Sequence, residues 1–318
     1  MKTRHYFLNQ CSDVGVEMTK QHKKIQTIGF VGIGVMGSRM IQNLKGFADL
    51  LVYDVDHARA KQVANETSAT AVAELSGLSH ADAVILMLPN SHVVDAVVKG
   101  SEKGPGLMDV LAPGAMIIDM SSSTPSNTIE NAKQCVAKGI HYIDAPVSGG
   151  PTGAAAGTLA IMVGGTPDDF NHAKPLLEKM GGNVVLIGEI GAGHAVKALN
   201  NLLGATILAA TAEIFAAGEK FGLDPHVMQK IINTSSGRSF STDLTYPKAV
   251  LPKTWDFGFA MGLMNKDIGI AMSLIESTGV DTTLNRQASE MWAKAMATTG
   301  PTSDMSEIVR LTYQRAGL

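Results

Sequence analysis

The stretch that decides the fold is Gly29-Phe-Val-Gly32-Ile-Gly34-Val-Met-Gly37, whose last six residues form a G-x-G-x-x-G pattern. It overlaps the end of an apolar, strand-like run and opens a segment with helical patterning. In that context the glycines allow a tight turn, the close approach of a pyrophosphate and tight helix packing, and the helix N-terminus attracts phosphates. Without a ligand it would be an ordinary glycine turn. The stretch predicts a dinucleotide-binding turn made by Gly32, Ile33, Gly34, Val35, Met36 and Gly37.

The residue after the second predicted strand selects the dinucleotide. Asp54 ends the run Leu51-Val-Tyr-Asp54. A carboxylate there accepts hydrogen bonds from the ribose hydroxyls of NAD and repels the 2′-phosphate of NADP. Val55 stands where NADP-binding proteins tend to carry arginine, although Arg59 could still assist a phosphate. The sequence therefore favours NAD over NADP.

The rest of the chain divides into two parts with different patterns. Strand and helix patterns alternate over residues 25–190, and several strands are continuous apolar runs, as in parallel sheets covered on both faces. This alternation predicts a doubly wound α/β Rossmann domain with a mainly parallel sheet. Residues 191–318 show only helical patterns and predict an all-α domain, with the boundary in Gly188–Gly193. The predicted strands are Thr27–Val31, Leu50–Tyr53, Ala83–Leu88, Ala115–Asp119, His141–Asp144, Thr158–Val163 and Asn183–Ile187.

Composition excludes several classes of protein. The chain has 318 residues, a net charge near −3 and no basic block, which argues against nucleic acid or an anionic membrane as partner. The two cysteines, Cys11 and Cys135, are far apart, and no histidine has partners at metal-ligand spacing, so no metal site is expected. Reduced thiols fit the cytoplasm. Residues 1–24 predict a flexible tail, and the apolar run Ala198–Ala212 predicts a buried helix because it is shorter than the ~20 residues of a membrane span.

Two further strands end in polar or turn residues. Leu88 ends one predicted strand and is followed by Pro89, and Asp119 ends the next and is followed by Met-Ser-Ser122. Ligands of open α/β sheets bind at the carboxyl ends of the strands, so both segments are expected beside the dinucleotide. Helix capping is the alternative for the serines.

The segment Ser148-Gly149-Gly150 follows another strand and offers a hydroxyl beside free backbone N–H groups. That combination suits the carboxylate of a small substrate, and a plain glycine-rich turn is the alternative. Ser148 does not match a hydrolase nucleophile elbow, because Pro146 stands where that motif requires glycine.

Lys197 and Asn201 lie four residues apart and share one face of a predicted helix. Small apolar neighbours would partly desolvate the lysine and favour its neutral form, which suits a general acid/base. A surface lysine is the alternative, and His194 is the second candidate for the acid/base role. The pair Lys266-Asp267 interrupts an apolar helix. It indicates either an exposed ion pair or residues of the cofactor and substrate site.

Together these motifs resemble the β-hydroxyacid dehydrogenases, in the right order from Ile25 onward. The resemblance implies an NAD(P)-dependent oxidoreductase acting on CH–OH, with Lys197 and Asn201 as catalytic pair. One departure is Ser122, where the family usually has threonine. The resemblance further implies that Gly32, Gly34, Gly37, Asp54, Leu88, Pro89, Ser122 and Lys266 bind the cofactor, and that Ser148, Gly149, Gly150, Lys197, Asn201, Phe259 and Asp267 bind the substrate.

The expected reaction is NAD-dependent oxidation of a small 3-hydroxy carboxylic acid to its semialdehyde or keto acid, or the reverse, as in 3-hydroxyisobutyrate dehydrogenases. Tartronate semialdehyde reductases and glyoxylate or succinic semialdehyde reductases are alternatives within the family. An imine reductase usually has another residue at the lysine position, and a non-catalytic dinucleotide-binding protein would not need an acid/base. The family also implies a homodimer or homotetramer that associates through the helical domain.

Overall fold

The structure is a computed structural model that describes residues 22–102 and 104–318. The chain divides into two compact units between Lys197 and Ala198. Most of the predicted tail, and Cys11 with it, lies outside the described residues. Cys135 is buried, as expected of an inert thiol.

A mainly parallel sheet forms the centre of the first unit, where nine strands belong to it within the described residues. The strands are β1 Thr27–Val31, β2 Asp49–Tyr53, β3 Thr70–Ala71, β4 Ala83–Leu86, β5 Gly100–Ser101, β6 Gly104–Pro105, β7 Met116–Asp119, β8 His141–Asp144, β9 Val147–Ser148, β10 Leu159–Gly164 and β11 Gly181–Gly188. The order in the sheet is β11-β10-β8-β7-β4-β1-β2-β3, β9 pairs with β10, and β5 and β6 form a separate hairpin. Strands β8, β7, β4, β1, β2 and β3 are parallel, whereas β10 is parallel to β11 and antiparallel to β8 and β9.

The central strands are buried on both faces, which explains their unbroken apolar sequences. Every residue of β4 and β7 is buried. In register, Phe30 of β1 lies between Val52 of β2 and Ile85 of β4, and all three belong to one core cluster. The doubly wound prediction is confirmed. The helices of this unit are Gly37–Met40 with a 3₁₀ turn over Ile41–Leu44, His57–Thr67, the 3₁₀ turn Leu75–Leu78, Ser91–Lys99, Leu107–Val110, Pro125–Ala137, Gly150–Ala156 and Pro167–Leu177.

The second unit is helical, as predicted. Its core surrounds the fully buried Trp292, Phe215 and Tyr246, and the Trp292 ring N–H donates to the carbonyl of Ala205 at 3.1 Å. The sequence did not predict its π-helical segment, which contains Pro247. The helices are Ala192–Phe221, which begins in the first unit, then Pro225–Asn233, the π-helical Ser241–Val250, Met261–Thr278, Thr283–Thr299 and Glu307–Arg315.

The helix Ala192–Phe221 is longer than its apolar run suggested. Among the described residues it is the one helix long and apolar enough to cross a membrane, and 56% of its most apolar stretch is buried within the protein. Core helices of soluble proteins meet the same criterion. Its Leu202, Ala209 and Phe215 pack in the core of the second unit, as expected for a buried helix.

Candidate active site

The three glycines of the turn after β1 serve different purposes. Gly32 has φ +95°, and a Cβ there would collide with the carbonyl of Met87. A Cβ on Gly37 would collide with the carbonyl of Gly32. A Cβ on Gly34 would meet no protein atom within 4 Å. The first and third glycines are thus required by the packing of the turn, and the second leaves open space for a ligand.

Asp54 fastens the glycine turn to the end of β2. One carboxylate oxygen accepts the backbone N–H of Ile33 at 2.7 Å, and the other accepts that of Asp56 at 2.8 Å. The residue is only 8% exposed. A cavity of about 750 Å³ borders the turn, and Arg39 and Arg59 lie in its wall. The sequence anticipated the position of Asp54 but not its bond to the turn.

The ends of β4 and β7 are joined by hydrogen bonds from serine and aspartate. The hydroxyl of Ser121 accepts the backbone N–H of Leu88 at 3.0 Å. The buried Asp119 in turn accepts the Ser121 N–H and the Ser123 hydroxyl, each at 3.0 Å. These bonds fix the backbone on either side of Ser122, which is partly buried, at the sheet edge that carries the glycine turn.

Asp144, at the end of β8, holds the start of the long helix. Its two oxygens accept the backbone N–H groups of Gly191 at 2.7 Å and His194 at 2.8 Å. Burial raises the pKa of the Asp144 carboxyl, against the opposing effects of His194 and of the two N–H donors. A Cβ on Gly193 would collide with the carbonyl of Met162, so glycine allows the helix to approach β10 this closely. The sequence alone does not reveal this role of Asp144, although the G-x-G before the helix is a signal of close packing.

His194 is a buried anchor of the same helix. Its Nδ1 lies 2.8 Å from the hydroxyl of Thr128, and its Nε2 lies 3.0 Å from the carbonyl of Ser121. Because a carbonyl can only accept, the bonding assigns a proton to Nε2. With both ring nitrogens bonded and 1% of the residue exposed, His194 is placed to position the helix rather than to exchange protons with a substrate.

Lys197 follows His194 by one helical turn. The helix that places it begins at Ala192 and continues through Asn201, so the two side chains share a face. Lys197 is partly buried. Since His194 and Asp144 fasten the first turn to β7 and β8, Lys197 is held near the carboxyl ends of these strands.

The turn Ser148-Gly149-Gly150 has the open backbone that its sequence suggested. Ser148 ends β9 opposite Ala160, and Gly149 and Gly150 have φ +128° and +61°. A Cβ on Gly150 would meet no protein atom within 4 Å. Side-chain-bearing residues rarely adopt positive φ, so the backbone of this turn depends on glycine at both positions.

A second group of contacting polar side chains lies within the helical unit. The amide Nδ2 of Asn201 donates to Asp267 Oδ2 at 2.6 Å, and Lys266 Nζ lies 3.4 Å from Asp267 Oδ1. Asp267 is 3% exposed, so the pair with Lys266 is not the exposed ion pair considered as an alternative. Phe259 is partly buried, and its backbone is fixed by Asp304 and Met305.

These features define a dinucleotide-binding oxidoreductase fold. Residues 27–188 match the family described as the NAD binding domain of 6-phosphogluconate dehydrogenase. Residues 191–312 match a second family, described as NAD-binding of NADP-dependent 3-hydroxyisobutyrate dehydrogenase. The chain belongs to the β-hydroxyacid dehydrogenase family. It is an NAD(P)-dependent oxidoreductase acting on CH–OH groups.

Similar proteins support this assignment over nearly the whole chain. The chain is 36% identical to 2-(hydroxymethyl)glutarate dehydrogenase of Eubacterium barkeri, over 92% of this chain and 96% of that protein. It is 38% identical to mouse mitochondrial 3-hydroxyisobutyrate dehydrogenase, over 83% and 80% of the two chains. The solved structure of the Mycobacterium tuberculosis 3-hydroxyisobutyrate dehydrogenase with L-serine is 31% identical, with a TM-score of 0.83 over 90% of this chain and 99% of that one.

Proposed function

We propose that the chain catalyses the NAD-dependent oxidation of a small 3-hydroxy carboxylic acid, most like 3-hydroxyisobutyrate, to its semialdehyde, or the reverse reduction. The observation that carries the proposal is the placement of Lys197. It lies one turn beyond His194, whose ring bonds to Ser121 and whose N–H bonds to Asp144 at the strand ends. This is the sheet edge at which the open space at Gly34 would receive a dinucleotide.

In this proposal the bound nicotinamide accepts or supplies the hydride. The Ser148 hydroxyl and the N–H groups of Gly149 and Gly150 bind the substrate carboxylate. The neutral Lys197 amine takes the hydroxyl proton during oxidation, and its ammonium returns that proton during reduction.

Other residues bind and orient the reactants. Asn201 holds the reacting oxygen through its amide, and Asp267 orients that amide through the bond at 2.6 Å. Leu88, Pro89 and Ser122 line the nicotinamide. By the family resemblance, Lys266 would bind the cofactor and Phe259 the substrate.

The first experiment follows NAD reduction at alkaline pH on a panel of acids. The panel contains 3-hydroxyisobutyrate, D- and L-glycerate, L-threonate, L-serine and 4-hydroxybutyrate. Lys197→Ala should lower kcat by about 10²- to 10⁴-fold, as expected for loss of a general acid/base, whereas the exposed Lys133→Ala should leave kcat unchanged. Full activity of Lys197→Ala would overturn its assigned role.

The same panel separates the alternatives. Preference for glycerate would favour a tartronate semialdehyde reductase, and preference for 4-hydroxybutyrate a succinic semialdehyde reductase. Reduction of cyclic imines without turnover of any acid would indicate an imine reductase. Tight NADH binding without any turnover would indicate a non-catalytic dinucleotide-binding protein.

NAD is proposed over NADP because Asp54 follows β2 and Val55 comes next. The experiment compares kcat/KM for the two cofactors. Val55 is 84% exposed, so Val55→Arg should fold normally and should raise kcat/KM for NADP about tenfold by pairing with the 2′-phosphate. A wild-type preference for NADP would overturn the choice, and Arg59, in the adjoining cavity, would then be the residue to test.

The proposal also includes a homodimer or homotetramer in the cytoplasm. The helical unit exposes large apolar side chains, among them Leu203, Ile214 and Phe221, which are 59%, 60% and 84% exposed. Such surfaces mark protein interfaces. Light scattering should show a multimer for the wild type and a smaller species for Ile214→Glu. A monomeric wild type would exclude the proposed oligomer.

The cytoplasmic location is supported by the free thiol of Cys135. Cell fractionation tests it.

A further inference from the structure

Two histidines and an aspartate that are distant in sequence meet at the amino end of β8, whereas the candidate active site lies at the carboxyl ends of the strands. His141 is the first residue of β8, Asp169 lies in the first turn of the helix Pro167–Leu177, and His22 precedes β1. One potential ligand atom from each of the three lies within 4.8 Å of the other two. No pair among them has the sequence spacing of a metal motif, which is why the sequence indicated none.

Both histidines approach the same oxygen of Asp169. His141 Nδ1 lies 2.7 Å from Asp169 Oδ1, and His22 Nε2 lies 3.6 Å from the same oxygen. Nε2 is therefore the nitrogen of His22 that would bind an ion shared with Asp169. The other nitrogen of His22, Nδ1, is buried and has no hydrogen-bond partner, so nothing in the described residues competes for the proton that a metal-bound imidazole carries there.

Neighbouring groups hold the cluster in place. The second oxygen of Asp169, Oδ2, accepts the hydroxyl of Thr166 at 2.6 Å, which fixes the carboxylate. The ring of His22 lies 4.2 Å from that of His141, measured between ring centroids. The ring of His172 stacks on that of His22 at 4.4 Å and fixes its plane.

We propose that His22, His141 and Asp169 bind one divalent transition-metal ion, with zinc as the ion that best suits two imidazoles and a carboxylate. Tetrahedral zinc places its ligand atoms about 3.3 Å apart, and the distances from Asp169 Oδ1 to the two histidine nitrogens, 2.7 Å and 3.6 Å, lie on either side of that value. The side chain of His22 is 17% exposed, which leaves an open side for a water as the fourth ligand.

The site is separate from the candidate active site. His141 begins β8 and Asp144 ends it, so about 10 Å of strand lies between the metal ligand and the carboxylate that holds the long helix. A metal here joins the segment before β1 to β8 and to the helix Pro167–Leu177. Its expected effect is therefore on stability rather than on turnover.

The test uses the untagged full-length chain, freed of metal by chelation and then dialysed against ZnCl₂. We expect one zinc per chain by elemental analysis, visible d–d absorption on Co²⁺ substitution, and a rise in Tm of about 5 °C at a hundredfold excess over Kd. His22→Ala and the more conservative His22→Gln should lose the bound ion and the rise in Tm. The matched control, His80→Ala at an exposed histidine, should keep both.

Circular dichroism establishes that each variant is folded, so a loss of metal is not a loss of structure. Zinc binding by His22→Ala or His22→Gln equal to that of the wild type would overturn the proposal. So would a wild type that binds zinc more weakly than about 10 µM.

Discussion

Asn201 donates its side-chain amide to the buried carboxylate of Asp267 at 2.6 Å, within the helical unit. The amide of Asn201 therefore has a defined orientation before any substrate binds. A residue proposed to hold the reacting oxygen gains from such a bond, because less has to be ordered during the reaction.

Removal of this bond should impair turnover more than cofactor binding. A hydrogen bond to a charged group contributes about 1.5–3 kcal/mol, so Asp267→Ala should lower kcat about 10- to 100-fold. Asp267→Asn retains an acceptor for the Asn201 amide, so its kcat should fall less than that of Asp267→Ala. Steady-state kinetics gives kcat, and NADH fluorescence titration gives the Kd for the cofactor. The exposed Glu276→Ala on the same helix is the control, and unchanged kcat in Asp267→Ala would show that the orientation of Asn201 is irrelevant.

Substitutions at two glycines of the turn should separate folding from binding. Gly34→Ala adds a methyl group to open space, so Tm should change little while the Kd for NADH rises at least about tenfold. Gly32→Ala must adopt φ +95° and displace the carbonyl of Met87, so it should lower the free energy of unfolding by about 1–3 kcal/mol or more. Thermal melts measure the stability of each variant, and fluorescence titration measures its Kd for NADH. Unchanged NADH affinity in Gly34→Ala would place the cofactor elsewhere.

His194→Ala should destabilise the protein. It leaves the Ser121 carbonyl without its donor in a buried site and removes one of the two contacts of the Thr128 hydroxyl, which keeps its bond to the Thr124 carbonyl. The expected cost is about 1–3 kcal/mol. Chemical denaturation measures the change, with the exposed His92→Ala as control. If His194 were instead the acid/base, the variant would keep its stability and lose turnover by the margin expected for Lys197→Ala.

Cys135 should be unreactive in the native protein. Burial raises the pKa of its thiol to about 12, so almost no thiolate exists at pH 8, and the thiolate forms only as the pH approaches that value. Alkylation by iodoacetamide at pH 8, followed by mass spectrometry of the peptide that contains Cys135, should be at least about a hundredfold slower than in denaturant. Comparable rates would mean that the helix Pro125–Ala137 opens readily.

The sequence by itself determined the architecture and the order of the motifs. Gly32, Gly34 and Gly37 after an apolar run specify a turn that few other residues could form, and unbroken apolar strands require cover on both faces. These are local constraints, which a linear pattern can carry. Two-residue strands such as β9, and the π-helical segment Ser241–Val250, were not predicted because they are too short or too irregular for periodicity to reveal.

The tertiary structure alone decided which distant polar groups meet. Asp144 and His194 are fifty residues apart, and Asn201 and Asp267 sixty-six, yet each pair is joined by a hydrogen bond. His22, His141 and Asp169 gather in the same way. The linear sequence indicates substrate binding for Asp267 and a secondary role for His194, but it does not reveal the partners of either residue. Hydrogen bonds between distant residues depend on where strands and helices end in space, and that follows from the packing of the whole core rather than from any local pattern.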